Sequence, residues 1–484
     1  MNKNTDWLDA ALEPLKNPSL GHTWPSAKDI GSRAALRQRR RKIGVASSTL
    51  ALVVIAALLI ALVGFPDTSS QTNGRMSLAM GPGIRSVAGP DGSIRLLASA
   101  KKTSPASSQT ASELATAEQA FALDLTRQEL SYSQGSNVVL SPMSADINLS
   151  MLEIAASGPT EREIATALQS DGLSASQNAA AWKALVSSEL ADGPSGALTL
   201  ANSLWVQKHL DVKTGFLDTE ATDFGNDTYQ VAFESPSATK AINTWVDVAT
   251  AGHISELFAP GELAPKTVVV LANALHLHAA WANTHQFTAS TGSFITAGGE
   301  SLSVPTLTAV DDQLDFAETP SYQAVQIPYA NSSLAALVIQ PKSATVAAWL
   351  ARLTSNGLAT VVGSLTKGTV DLSMPSLDLT SRPLLNTALS AMGMADAFVS
   401  ADLTPMLGTS LGSQVAIAQV QQADTLQVNR WGTDAAAATG TSIVPLSDTV
   451  AQVIDIDHPY LLLIRDTKTG AILFSSVVNN PAGS

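Results

Sequence analysis

Gly432-Thr433-Asp434-Ala435-Ala436-Ala437-Ala438-Thr439 runs on through Gly440-Thr441-Ser442-Ile443-Val444-Pro445-Leu446-Ser447 into a strongly apolar C-terminal segment. Read alone, this small-residued stretch is a flexible loop. Its alternate residues Thr433, Ala435, Ala437, Thr439 and Thr441 fall on one face if the chain is extended. All are small enough to slide between existing strands. Joining a sheet satisfies the backbone N–H and C=O groups, each ladder bond contributing roughly 0.5–1.5 kcal/mol net. Ordering costs roughly 1–2 kcal/mol per residue, so insertion must also gain from burial. The stretch is a strand waiting for a sheet.

The chain around it has 484 residues, room for two or three ordinary domains or one large one with extensions. There is no cysteine, which excludes disulfides, thiol catalysis and cysteine metal sites. The net charge of −13 is unevenly spread: residues 1–42 carry +5 and residues 66–484 carry −18. An acidic body argues against nucleic acid as a partner, because phosphate repels it. Between the two regions lies Ile43–Phe65, 23 residues without a charge. As a helix it would span about 35 Å, enough for the ~30 Å hydrocarbon core of a bilayer. Arg37, Arg39, Arg40, Arg41 and Lys42 precede it, so the basic segment 1–42 is expected to stay cytoplasmic and the C-terminal body to lie outside. The alternative is a cleaved signal peptide, for which the run is overlong and its leader unusually extended. Residues 66–110, rich in Gly, Ser, Thr and Pro, read as a flexible stalk. Asp91-Gly92, flanked by Ile84, Val87, Ile94 and Leu96, is a weak hairpin signal inside it.

From residue 111 a folded pattern begins. Apolar spacing predicts helices from Ala120 to Leu130, from Met143 to Ala156 and from Glu161 to Leu168. Asn137–Leu140 reads as a short buried strand. Leu198–Gln207 and Val268–Leu277 read as central strands, followed by Ala324–Tyr329, Leu334–Ile339, Val370–Met374, Gln414–Val420 and Tyr460–Ile464. Helices and strands alternate without a βαβ rhythm, so the class is α+β with mainly antiparallel sheets.

These residues resemble the serpins, over essentially the whole of residues 111–482. Asn137-Val138-Val139-Leu140-Ser141-Pro142-Met143-Ser144 is similar to that family's N-V-x-x-S-P-x-S segment, with Gly158 and Thr160 beyond it. Leu200 to Val206 resembles its second central strand. Ile242-Asn243-Thr244-Trp245-Val246 with Thr250-Ala251-Gly252-His253-Ile254 resembles I-N-x-W-V…T-x-G-x-I. Asn273-Ala274 and Trp281 resemble N-A-x-x-F-x-x-x-W, with Leu277 at the usual aromatic. Asp457-His458-Pro459-Tyr460, Ile464-Arg465, Thr469-Gly470-Ala471-Ile472-Leu473-Phe474 and Asn480-Pro481 resemble the family's C-terminal H-P-F…I-R…T-G-x-I-L-F…N-P.

The resemblance implies a metastable serpin fold of three β-sheets, about eight or nine helices and an exposed reactive loop, here preceded by one transmembrane helix. It implies a membrane-anchored, prokaryote-like member with an extracellular domain at residues 111–484. A target serine protease would cleave the loop, form an acyl-enzyme and be trapped as the hinge enters the large sheet. The chain would be a suicide substrate, not an enzyme. By the family's spacing the hinge is Gly432, Thr433, Asp434, Ala435, Ala436, Ala437, Ala438 and Thr439. The scissile bond joins Leu446 to Ser447, or lies a residue or two downstream, since this loop is slightly longer than in common members. Leu446 suits an apolar pocket of the chymotrypsin, elastase or subtilisin type. The shutter beneath the opening strands would be Ser141, Ser144 and Asn273, with Gln422 where the family has histidine. Trp281 would stand at the breach above it. Arg430 and Trp431 depart from the family's usual acidic pair and support the alternative, a non-inhibitory binding or chaperone protein. The partners implied are the protease and the membrane, with no cofactor and a monomeric chain.

Two other signals compete. Gly408-Thr409-Ser410-Leu411-Gly412 matches G-x-S-x-G, which as a nucleophile elbow needs a strand before it and a helix after. His276 and His278, with His285 nearby, could face a metal but lack a properly spaced third ligand. A flexible loop and structural histidines are the plainer readings. Trp205, Trp245 and Trp281 read as core.

Overall fold

The computed structural model describes residues 85–98, 106–191, 198–225, 227–250, 252, 254–264, 267–282, 287–330, 332–408, 415–434 and 451–483. Three sheets and ten α-helices form among them, slightly more helix than the eight or nine expected. The run Ile43–Phe65 lies outside the described residues, as do Leu446, Ser447 and the hinge beyond Asp434. Among the described residues no helix is long and apolar enough to cross a membrane.

The first sheet has six strands in the order β1 (Arg85–Ala88), β2 (Ile94–Leu97), β5 (Asp227–Val231), β4 (Leu198–Gln207), β6 (Val269–Leu277) and β14 (Gln419–Gln421). The four-stranded sheet runs β13 (Leu377–Ser381), β15 (Asp424–Asn429), β16 (Gly432–Thr433) and β7 (Ala279–Ala280). The nine-stranded sheet runs β17 (Gln452–Asp455), β12 (Thr366–Pro375), β9 (Ser301–Glu318), β10 (Tyr322–Pro328), β11 (Leu334–Pro341), β18 (Tyr460–Asp466), β19 (Ile472–Val478) and β3 (Val138–Leu140), with β8 (Thr288–Ile295) on β9. β10, β11, β18 and β19 form its centre. Every residue of β11, β18 and β19 is buried, as expected of strands covered on both faces.

The helices cover these sheets. α1 (Ser108–Tyr132) starts at an N-cap, Ser107, whose side chain accepts from the Thr110 N–H. α2 (Pro142–Ala155) lies almost wholly in the core, with proline at its first position, where the missing N–H costs nothing. α3 is Gly158–Ala167, α4 Ala175–Ala191 and α5 Thr214–Asp223. α6 (Pro236–Ala249) lays Ala238, Ala241, Ile242 and Val246 on the outer face of the six-stranded sheet, over Trp205, Tyr229, Val270, Ala272 and Ala423. Trp245, expected in the core, is only partly buried there. The short helices α7 (Val346–Leu350), α8 (Ser355–Gly363), α9 (Asn386–Leu389) and α10 (Thr404–Leu407) complete the set.

One expectation needs correcting inside residues 66–110. Residues 85–98 are a folded hairpin rather than stalk: β1 and β2 pair antiparallel, and β2 pairs with β5 through Ile94–Gln230, Arg95–Tyr229 and Leu96–Thr228. Leu96 reaches the core and supplies the burial that the polar composition hides. The strand expected over Gln414–Val420 shortens to Gln419–Gln421. The G-x-S-x-G elbow fails on its entry side, since α10, not a strand, leads into Gly408.

Candidate functional site

β6 and β15 run parallel, and they hold two halves of one larger sheet. At the foot, β14 pairs parallel with β6 through Gln419–Val270, Val420–Leu271 and Gln421–Ala272. At the top, β16 lies between the halves, antiparallel to both. Thr433 pairs with Val428 and with Ala279, and Gly432 with Asn429 and Ala280. Between foot and top, the edges Asn273–Leu277 of β6 and Asp424–Gln427 of β15 share no ladder among the described residues. The gap widens from one interstrand spacing to two, roughly 10 Å at the top. It is a seam shaped for one antiparallel strand.

Gly432 and Thr433 have already entered it. Gly432 has φ +151°, and a Cβ there would lie 2.0 Å from the Ala279 carbonyl oxygen, so only glycine fits this close approach. Thr433 is buried, and its hydroxyl lies 2.5 Å from the Tyr329 hydroxyl. Burial pushes the Tyr329 phenol up, so it stays protonated and can donate. Tyr329 stacks on Trp281 with ring centroids 4.7 Å apart. The Trp281 indole N–H donates to the Asn429 carbonyl at 2.9 Å, and its backbone N–H donates to the Trp431 carbonyl. Trp281 therefore clamps the turn Asn429–Gly432. Arg430 stacks over the Trp431 ring at 4.3 Å, which closes that turn from outside. The Asp434 N–H still donates to the Gln427 carbonyl, and its φ of +49° is left-handed rather than extended. Its carboxylate lies 3.9 Å from His278, an ion pair when the imidazole is protonated.

The segment leaving Asp434 returns at β17, which pairs parallel with β12 on the edge of the nine-stranded sheet. The two ends of the loop are thus fixed in different sheets.

Below the seam, Ser141 caps the start of α2, Ser144 lies in its first turn, and Gln422 reaches the first of them. The Ser141 hydroxyl donates to the Leu473 carbonyl at 2.9 Å, and Gln422 Nε2 donates to the Ser141 carbonyl at 2.6 Å. The Gln422 amide can both donate and accept. The Ser144 hydroxyl and Gln422 Oε1 are buried without a hydrogen-bond partner. Asn273 lies on β6, in register with Asn202 on β4.

Asp424 was not expected. It is the first residue of β15, fully buried, and its carboxyl accepts from the Ser141 backbone N–H while Oδ2 is unpartnered. Burial pushes its pKa up to about 8. Its position alternates with Leu426 and Val428 on the buried face, a pattern visible in sequence only once the strand is known. The same lesson holds for Tyr329, whose role depends on a contact 104 residues away.

The raised value has a sign. An aspartate near pH 4 in the unfolded chain and near 8 in the fold is protonated by folding, so stability falls as pH rises between these values. Asp146 is also pushed up to about 8 and Glu153 to about 7, both chiefly by burial, and act the same way. Asp424→Asn isolates one contribution. Its stability relative to the parent should grow by roughly one kcal/mol per pH unit from about pH 4 and level off above about 8. Urea unfolding at pH 5, 6.5, 8 and 9 measures it, and a difference flat across the series would show that Asp424 is not the buried acid described.

The described residues thus form a sheet parted between β6 and β15, with β16 bridging its top. Residues 116–481 match the family model described as Serpin (serine protease inhibitor). Serpin-ZXA of Oryza sativa subsp. japonica is 29% identical, over 72% of this chain and 91% of that protein. The native structure of the thermophilic serpin tengpin aligns with a TM-score of 0.71 at 22% identity, covering 79% of this chain and 97% of tengpin. Thyroxine-binding globulin in complex with thyroxine aligns at 0.67 and 25%, covering 76% and 99%. The chain belongs to the serpin family, whose members are typically protease inhibitors and not enzymes, with some non-inhibitory members. A plant relative stands among the most similar, so the comparisons do not favour a prokaryote-like placement.

Proposed function

We propose that the chain inhibits a serine protease of the chymotrypsin, elastase or subtilisin type by suicide-substrate trapping. The observation that carries this reading is the seam with Gly432 and Thr433 already in it. Continuing their register sets Ala435 between Leu426 and Leu277, Ala437 between Asp424 and Leu275, and Thr439 between Gln422 and Asn273. The first two pairs bury methyl groups, and Thr439 brings a hydroxyl to the unpartnered Gln422 Oε1. Cleavage between Leu446 and Ser447 leaves the β17 end behind and frees the other to enter. The protease, still esterified to Leu446, travels with it. Pro445 cannot donate to a ladder, so it suits the end of the inserted strand.

The reading keeps Ile43–Phe65 as a single-pass anchor with the serpin domain outside the cell. The uncharged run and the basic residues before it support this. Incubation with chymotrypsin, elastase and subtilisin, followed by denaturing gels, tests the trapping. A complex that survives denaturant is expected. Simple cleavage near Leu446 with full protease activity remaining favours the second reading, a non-inhibitory binding protein, to which the exposed Arg430 stacked on Trp431 lends support.

A further inference from the structure

We propose that the hairpin β1–β2 is a latch on α6 that slows entry of the loop into the seam. The inference rests on the insertion reading above. The outward side of the seam's foot is covered by α6, which packs on Ala272 of β6 and on Ala423, just before β15. A strand growing down the seam would set Ala438 beside Ala423, directly under that helix. α6 must therefore yield before insertion can finish.

What holds α6 is the hairpin at the outer edge of the six-stranded sheet. The hairpin turn Pro90–Gly92 reaches its flank, where Asp91 Oδ1 accepts from Lys240 Nζ and Oδ2 accepts from the Thr244 hydroxyl, each at 2.6 Å. The two donors are four residues apart, hence on one face of the helix. Asp91 adopts φ +46°, a left-handed conformation that aspartate visits more readily than most residues. The hydrogen bonds from Lys240 and Thr244 hold its carboxyl below the usual range.

The hairpin is in turn fixed to the layer beneath α6. A Cβ on Gly89 would lie 3.1 Å from the Tyr229 ring and 2.4 Å from the Ser93 hydroxyl oxygen, so the turn rests directly on that ring. Tyr229 stacks on Trp205 at 4.4 Å in the core that α6 covers. Arg95 pairs with Asp227, which also accepts from the Tyr229 hydroxyl at 3.1 Å. Sheet edge, ring stack and helix form one connected unit, and insertion has to work against it.

The test is kinetic. The full chain is nicked at the reactive loop, and entry is timed by the gain in resistance to urea unfolding, for the parent, Asp91→Ala and Thr244→Val. Thr244→Val keeps the helix shape and serves if Asp91→Ala folds poorly. Entry should be faster by roughly three- to tenfold in Asp91→Ala and less in Thr244→Val, the exposed Lys240 limiting the effect. Adding Lys240→Ala to Asp91→Ala should give little more, because both remove the same contact. Unchanged or slower entry in both single variants overturns the latch while leaving insertion intact. A nicked parent that never gains resistance overturns the insertion reading itself, and the latch with it.

Discussion

Ala437→Glu should turn the chain from a trap into a plain substrate. In the continued register position 437 falls between Leu275 and Asp424 on the inward face, where both neighbours are buried. A carboxylate entering there loses its water and meets a second carboxyl already pushed up to about 8 by burial. The cost is several kcal/mol, comparable with the drive from several ladder bonds. Entry then lags behind hydrolysis of the acyl bond, and the protease leaves. Cleavage at Leu446 should keep its rate within about twofold, while the denaturant-stable complex falls by roughly tenfold or more. Ala436→Glu is the matched control. Its side chain would point outward beside half-exposed Thr425, where the charge reaches water, so trapping should persist. Equal trapping by the parent and Ala437→Glu would mean that position 437 does not enter the sheet in this register.

Trp281→Ala should cause the largest loss in the uncleaved molecule. Trp281 is buried, stacks on Tyr329, packs against Phe287 with centroids 5.7 Å apart, and supplies the N–H that holds the Asn429 carbonyl. Truncation of such a side chain costs roughly 3–5 kcal/mol through lost burial and the cavity left behind. The cavity opens beside the ring whose hydroxyl holds Thr433, so the hinge should loosen at the same time. Urea unfolding reads the first effect, and cleavage after Trp431 by dilute chymotrypsin reads the second. Trp281→Phe should recover a large part of the stability, because stacking survives without the indole donor. A loss in Trp281→Ala below about 1 kcal/mol would remove Trp281 from the clamp.

The elements with strong patterns were legible in the sequence. Leu198–Gln207 was bounded to the residue and the helix at Pro142–Ala155 to within one, but the first helix begins at Ser108, three turns before the expected Ala120, because its polar first turns carry no apolar spacing. Gln422 was singled out only through the family resemblance; the structure places its amide on the Ser141 carbonyl. What the sequence hid has physical reasons. β9 carries Pro305 and the pair Asp311-Asp312, which interrupt its apolar alternation, so its 18 residues drew no strand assignment although they pair with β8, β10 and β12. The hairpin gave only a weak signal among its Gly, Ser and Pro neighbours, since its stability comes from pairing with β5, far away in sequence. The seam is a place where ladder bonds are missing. No local residue pattern records an unmade bond, and only the topology of β6, β14, β15 and β16 reveals it.

The central claim is that the open sheet is less stable than the completed one. The direct measurement is the thermal unfolding midpoint of residues 85–484 before and after a single nick at the Leu446–Ser447 bond. Several kcal/mol of new ladder bonding and buried methyl groups should raise the midpoint by at least roughly 10 °C, even though the chain has been cut. A nicked form that melts at or below the intact one would contradict the account.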